Sequence, residues 1–336
     1  MKKRITFLLA CLGMCVCLLC SCHPMQDPAV EETPVQTVQL SFQISSRVDD
    51  VLLEQAELFM ERVQKLSEGT IRMELITAAP GSDALKQGEW DIALLYNIQM
   101  AQADSLFSMF GLPFIYDDWN HMSRALNCQQ ILEILQERLA NKNIKPLAAI
   151  YNGNTSLVAL EKDIRDVGDF KDRVLAVRAD SEEKIKAFQA LGAQVEPYPA
   201  LSIVEMLNSG IVDAAEVSID QTAGILAAPQ DIHYINSQHT IKPLWLVVNA
   251  QTFEKLDSVQ QAAIYEGIAG FLAQVDDARA QHESQLMLEL QDQGIAIVDI
   301  EREELGTALY NSSAGAYTAP DYFDLRIYNI IQEYAL

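Results

Sequence analysis

Regular patterning of the chain begins at residue 37. "TVQLSFQI" predicts a strand, and residues 48–67 place Leu52, Ala56, Phe59 and Val63 on one face of a helix. "TIRMELI" predicts the next strand, followed by a short helix ending at Gly88 and the strand "DIALLY". The aromatic loop "FGLPFIYDDWNHMSRALN" leads into two helices and the strand "IKPLAAIYNG". A second alternating set begins near residue 154. "RVLAVRA" predicts its first strand; Asp180 or Ser181 can cap the helix carrying Ile185 and Phe188, and Gly192 supplies the exit. After the strand "AQVEPY", Ser202 and Glu205 form a capping box for a helix with Ile203, Met206 and Leu207, stopped by Gly210. "DAAEVSI" ends the set as a strand. Strands alternating with helices predict parallel, doubly wound sheets of the α/β class.

One corner is written twice. "LKQGEWDIA" (85–93) returns as "LNSGIVDAA" (207–215), both Leu-x-x-Gly-x-x-Asp-x-Ala. Leu and Ala are common residues, so chance is the competing account. Both copies stand at the same step of their sets: each Gly ends a helix where positive φ is needed, and each Asp opens a strand. The reading is a bilobed α/β fold, two doubly wound lobes joined by a hinge. Ligands of open α/β sheets sit at the carboxyl ends of the strands. Tyr96 and Asn97 of one lobe are therefore expected to face Glu216 to Asp220 of the other across a cleft. Lobe I is assigned residues 37–152 with about 242–280 returning to it, and lobe II residues 153–241 with about 281–336. Residues 257–293 predict a helix long enough to bridge both lobes, boxed by Asp257 and Gln260 and ended by Gly294. Its alternative is two helices broken near Gly267–Gly270 or at Asp276.

The N-terminus has another character. Residues 1–22 combine Lys2, Lys3 and Arg4 with an apolar stretch free of acidic residues, the design of a secretory signal. The stretch is too short to span a bilayer comfortably. It ends in Leu19-Cys20-Ser21-Cys22, which resembles a bacterial lipobox with Cys22 as the lipidated residue. Five of the six cysteines lie in this segment, leaving Cys128 in the body as a buried filler. Residues 23–36 are polar and contain proline; they read as a flexible tether, expected to reach roughly 20 Å. Removing 1–22 takes three positive charges and no negative ones, so the formal net charge moves from −23 to −26. Such an acidic chain argues against a nucleic-acid partner, whose phosphates require Lys and Arg. It also leaves membrane attachment to the lipid on Cys22.

The stretches "LKQGEWDIALLYN", "MFGLPFIYDDWNHMSRALN", "DVGDFKDRVLAVRADSEEKIKAFQALGAQVEPYPALSIVEMLNSGIVDAAEVSID" and "LVVNAQTFEKLDSVQQAAI" resemble the DctP-type solute-binding proteins of tripartite ATP-independent periplasmic (TRAP) transporters. Leu112-Pro113-Phe114 matches the core of that family's aromatic loop. The resemblance runs in order over about 37–300. It implies a receptor that captures an organic acid and hands it to an ion-driven membrane permease, with no cofactor, at the periplasm or the outer face of the cell membrane. The chain also departs from the pattern. The position of the family's ligand-pairing arginine falls on Ala176, and that of the asparagine that often follows its Val-Asp-Gly-x-Glu falls on Val217, while Val212-Asp213 and Glu216 are kept.

Arginine is the natural receptor for a carboxylate because its fork matches both oxygens. Arg178, two residues beyond Ala176 and on the same strand face, either supplies that fork or is a surface arginine. Lys162 is the nearest candidate for a second basic position. Tyr96, Asn97, Tyr151, Asn152 and Trp245 are candidates for hydroxyl, amide and stacking contacts, with ordinary packing as the alternative for each. His23, His121, His233, His239 and His282 show no metal-ligand spacing, and no Gly-x-Ser-x-Gly elbow is present. No metal and no enzymatic activity are therefore expected. Asp117-Asp118 and Asp276-Asp277 read as solvated charge, and Asn154-Thr155-Ser156 and Asn311-Ser312-Ser313 as loop polarity. The readings carried beside transport are a ligand-sensing or adaptor lipoprotein and, more remotely, a hydrolase.

Overall fold

The computed structural model describes residues 37–46, 48–81, 85, 88–160, 163–198, 203–225, 232–311 and 322–335. The signal, the tether with Cys22, the Ser202 half of the capping box and Lys162 lie outside these residues. Residues 37–336 form one compact unit. The first set comprises β1 (Val38–Gln43), α1 (Asp50–Leu66), β2 (Ile71–Ile76), β3 (Ile92–Tyr96) and α2 (Asn97–Ala103). A 3-10 turn (Ser105–Gly111), α3 (Trp119–Leu126) and α4 (Gln129–Leu139) lead into β4 (Ile144–Leu160). The second set is β5 (Val174–Arg178), α5 (Glu182–Ala190), β6 (Gln194–Tyr198), α6 (Ile203–Asn208), β7 (Ala214–Val217) and α7 (Ile219–Ile225). After them come β8 (Ile232–Asn249), α8 (Ala250–Lys255), α9 (Ser258–Asp292), β9 (Ala296–Asp299), α10 (Arg302–Asn311) and α11 (Leu325–Glu333).

The repeated corner has the same construction in both sets. β1 lies parallel between β2 and β3, and β5 lies parallel between β6 and β7. Gly88 and Gly210 take φ of 73° and 68°, the left-handed region that glycine enters without a Cβ clash. The Asp91 carboxylate accepts the Ser41 N–H of β1 at 2.8 Å, and the Asp213 carboxylate accepts the Val174 N–H of β5 at 2.9 Å. Each aspartate thus fastens the third strand of its lobe to the first. Chance does not account for a recurrence with matching geometry.

The sheet differs from two purely parallel halves. Its order is β2-β1-β3-β8-β4-β7-β5-β6, with β9 on β8, and the central pair β4 and β8 is antiparallel and runs through both lobes. β4 does not end with "IKPLAAIYNG" at residue 153. It continues to Leu160, because "YNGN" is a bulge within a strand: the register shifts between Tyr151 and Asn154, and Gly153 adopts φ of 78°. Asn154-Thr155-Ser156 is consequently buried strand and not exposed loop.

Two faces of the sheet carry different cores. On one, Phe42, Phe59, Ile150 and Phe271 centre a cluster over the first lobe, while Val158, Ala215, Tyr234 and Leu290 centre a separate one over the second. On the other face a single apolar core runs from Leu85 through the aromatic loop to Ile331. α9 joins the two separate clusters. It is unbroken over 35 residues, roughly 52 Å at 1.5 Å per residue, with the Asp257–Gln260 box at its start and Gly294 past its end at φ of 82°. Gly267 does not break it. A Cβ there would stand 2.6 Å from Val63 Cγ2, so the glycine lets α1 and α9 approach. Asp276, expected in solvent, is buried, with its carboxylate accepting the Tyr151 N–H at 2.9 Å and the Ser123 hydroxyl at 2.7 Å. Cys128 is a buried free thiol, as expected.

Candidate functional site

The strand ends of both lobes converge on the bulged centre of β4 and β8. Asp49 follows β1 and caps α1, donating nothing and accepting the Leu52 N–H at 2.9 Å; Asp220 lies just beyond β7, in the first turn of α7. Arg279 of α9 stands between them. Its guanidinium is hydrogen-bonded to the Asp49 carboxylate and lies 3.9 Å from Asp220, which also meets His282 at 3.3 Å. Arg279 is only 6% exposed, and its Nε–H has no partner. Burial works against the charge, but Asp49, Asp220 and Glu283 outweigh it and raise the guanidinium pKa further. A bridge from one cation to carboxylates on two lobes ties those lobes together.

One turn along α9, Glu283 accepts the Tyr151 hydroxyl at 2.5 Å, the Asn154 side-chain amide at 3.0 Å and the Asn154 backbone N–H at 3.2 Å. Burial nevertheless pushes its pKa up. A Cβ on Gly153 would lie 2.8 Å from the same carboxylate, so space and positive φ both demand glycine. Across the bulge stands Lys242 of β8, between Ile241 (paired with Asn154) and Pro243 (paired with Tyr151). It is half-buried and makes no hydrogen bond or ion pair among the described residues. Burial, reinforced by Arg279, draws its pKa down to about 8, against the pull of Glu283 and Asp220.

A second polar network lies against the continuous apolar core. Glu216 Oε1 receives Lys184 Nζ at 2.5 Å, the Thr155 hydroxyl at 3.0 Å and contacts His239 Nε2 at 3.1 Å. Burial raises the Glu216 carboxyl, but Lys184 and His239 overcome it and hold it well below the usual carboxylate range. Burial lowers His239, offset only in part by Glu216. Ser237 Oγ lies 2.8 Å from His239 Nδ1, which assembles serine, histidine and carboxylate in one chain of contacts. All three are buried, with Phe188 and Phe114 centred 5.1 and 6.2 Å from the imidazole, so no substrate reaches the hydroxyl. Arg302 holds the aromatic loop over this network by donating to the carbonyls of Ser237, Gln238, Tyr116 and Asp117.

The residues singled out from the sequence fall in three places. Tyr151, with its hydroxyl on Glu283, and Asn152, half-buried in the bulge, lie at the convergence. Tyr96 sits half-buried at the end of β3, its N–H donated to Gln99 at 2.9 Å. Asn97 and Trp245 are tied to each other at 3.0 Å; Asn97 also donates to the Phe107 carbonyl, and the indole is packed between Phe107 and Phe110 with no exposure. Glu216 points to Lys184 rather than outward. Arg178 is partly exposed and forked onto Asp180 at 3.0 and 2.5 Å, which raises its pKa. That engages Asp180, and Ser181 becomes the cap residue of α5 without a side-chain hydrogen bond. Ala176 and Val217 are buried in the second lobe's core. Lys242, Arg279 and Glu283 were not singled out. Their signals were a lone lysine within the apolar run "TIKPLWLVV" and an Arg–Glu pair four apart on a helix.

Residues 44–314 match the profile of the bacterial extracellular solute-binding proteins, family 7, DctP. The chain belongs to that family. Within it, the chain is 21% identical over 264 residues to the 2,3-diketo-L-gulonate-binding periplasmic protein YiaO of Escherichia coli K12, covering 76% of this chain and 80% of that one. Among solved structures, a TRAP periplasmic solute-binding protein of Roseobacter denitrificans with bound β-D-glucuronate superposes with a TM-score of 0.70 at 21% identity, covering 88% of this chain and 99% of that one. A second, from Ochrobactrum anthropi with its C-terminus bound in the ligand-binding pocket, gives 0.73 at 15% identity over 90% and 91%. This DctP-family member is thus a bacterial extracellular solute-binding protein and not an enzyme. Among the described residues no helix is long and apolar enough to cross a membrane.

Proposed function

We propose that this chain is an extracytoplasmic receptor, anchored by lipid on Cys22, that captures a hydroxylated organic acid between its lobes and delivers it to a TRAP-type permease. The observation carrying this reading is the bridge Asp49–Arg279–Asp220, which lies where the strand ends of both lobes meet. The bulge at 152–154, with Lys242 opposite it, supports a division into lobe I (37–152 with about 242–280) and lobe II (153–241 with about 281–336). A solute held there touches both lobes and stabilises their approach through its differential affinity for the closed form. Tyr96 at the end of β3 and Asn152 in the β4 bulge are half-buried contacts open to it, whereas Arg178 is already forked onto Asp180. The acids held by the relatives, 2,3-diketo-L-gulonate and β-D-glucuronate, support the ligand class. The signal and tether patterns read in the sequence support a location in the periplasm or on the outer face of the cell membrane.

A thermal-shift screen of the purified protein with uronates, aldonates, amino acids and neutral sugars tests the reading. A hydroxy acid present at about 100 times its Kd adds about 2.7 kcal/mol of stability. Stabilisation by neutral sugars or amino acids with none by the acids refutes the ligand class. Replacing Cys22 by Ser is expected to move the protein from the membrane to the soluble fraction.

A further inference from the structure

We propose that Lys242, seconded by the free Nε–H of Arg279, is the group that receives the carboxylate of the solute. The proposal rests on the receptor reading above and assigns the acid-binding station within it. Three cations near the strand ends already have carboxylates: Arg178 has Asp180, Lys184 has Glu216, and the Arg279 terminal nitrogens have Asp49 and Asp220. Lys242 has none among the described residues. The unpartnered Arg279 Nε lies on the same bulge, 3.4 Å from where a Gly153 Cβ would be, and Lys242 stands opposite that bulge in the β4–β8 register. Two donors without acceptors, one on the hinge strand and one on the lobe-spanning helix, are complementary to a two-oxygen anion.

The charges facing Lys242 decide whether an anion can enter. From α9 come Arg279 and Glu283, from α7 Asp220, and from α5 Lys184. Glu283 is turned to the Tyr151 hydroxyl and the Asn154 amides, and Asp220 to Arg279 and His282. Both acids are therefore committed to other donors, and neither is within ion-pair reach of the lysine. An ammonium partly out of water with no partner is unfavourable, and an arriving carboxylate relieves that cost. On β5, Ala176 is buried and Arg178 is paired with Asp180, so that strand offers no unpaired cation.

The position of Lys242 also sets a pH dependence. With burial drawing its pKa down to about 8, an anionic solute should bind progressively more weakly above that value. Arginine at the same place stays charged and removes the dependence.

Calorimetric titration of the wild type, Lys242→Met, Lys242→Arg and Arg178→Met with D-glucuronate, D-galacturonate and D-galactonate tests the assignment. Lys242→Met is expected to weaken the tightest acid at least about 30-fold while keeping its far-ultraviolet spectrum. Lys242→Arg is expected to retain binding and to lose the alkaline decline. Wild-type affinity for Lys242→Met, or an alkaline decline that persists in Lys242→Arg, overturns the assignment and leaves the receptor reading standing. So does loss of binding in Arg178→Met with Lys242→Met unaffected, which returns the carboxylate to β5. Absence of binding of any acid to the wild type sinks both. Should Lys242→Met fail to fold, the pH profile of Lys242→Arg decides.

Discussion

The two buried polar networks of this solute-binding protein use similar residues to opposite ends. Around Glu216, a carboxylate is neutralised by Lys184 inside one lobe and its hinge strand, and the atom left over is an acceptor, Oε2. Around Arg279, the charges come from both lobes and the long helix, and the groups left over are donors, the Arg279 Nε–H and the Lys242 ammonium. The first can be sealed by aromatic rings because its charge is internally balanced. The second lies where two lobes meet and presents hydrogen-bond donors, which only an acceptor-bearing guest can satisfy. A balanced buried pair serves as scaffold; in the proposed receptor, the unmatched donors where the lobes meet serve recognition.

The contrast can be broken most forcefully at Glu216. Glu216→Ala leaves Lys184 buried without its counter-charge and is expected to cost roughly 3–5 kcal/mol in urea denaturation, whereas Lys184→Met combined with Glu216→Met should recover most of it. A loss under about 1 kcal/mol for the single change would mean that Lys184 finds water or another acid, and the scaffold role would fall. Next in size, Gly153→Ala should cost about 1–3 kcal/mol, from positive φ together with a Cβ 2.8 Å from Glu283. Gly69→Ala is the comparison, with φ of 79° but open space around the new methyl, and should cost less. Equal losses at the two sites would show that Glu283 simply moves aside.

Acid separates the networks as well. Burial holds the folded His239 pKa below the ordinary 6.5, so below pH 6.5 the unfolded chain binds the proton first. Stability is whole above that value and falls with pH below it, by up to about 1.4 kcal/mol per pH unit until the folded imidazole itself titrates. Glu216, depressed in the folded state, adds a further loss below its ordinary 4.5. His239→Asn should flatten the upper part of this fall in melting curves between pH 7 and 5. An unchanged slope would place the acid sensitivity elsewhere. The smallest effect is at the bridge. A double-mutant cycle of Asp49→Asn and Asp220→Asn should show coupling of about 0.5 kcal/mol through the shared Arg279, because Asp220 is partly exposed. Strict additivity would mean that the two lobes are not linked through that guanidinium.

Local chemistry made much of this fold legible. Leu52, Ala56, Phe59 and Val63 marked the buried face of α1, all four buried in the structure. Asp257, Gln260 and Gly294 bounded α9 to within a residue, because caps are properties of a few adjacent groups. The central strand β8 escaped, since "IHYINSQHTIKPLWLVVN" mixes polar and apolar positions whose partners are supplied by β4 and by helices far along the chain. Asp276 was misplaced for the same reason: its burial depends on Ser123 and Tyr151, more than a hundred residues away.

What the chain determined by itself was therefore its segments, its repeated corner and its family resemblance, all encoded in side chains close in sequence. What only the tertiary structure decided was which charges find each other. Whether a lysine or an arginine is paired depends on distances between lobes, and the same side chain is scaffold or receptor according to the carboxylates that the folded sheet brings within a few ångströms of it.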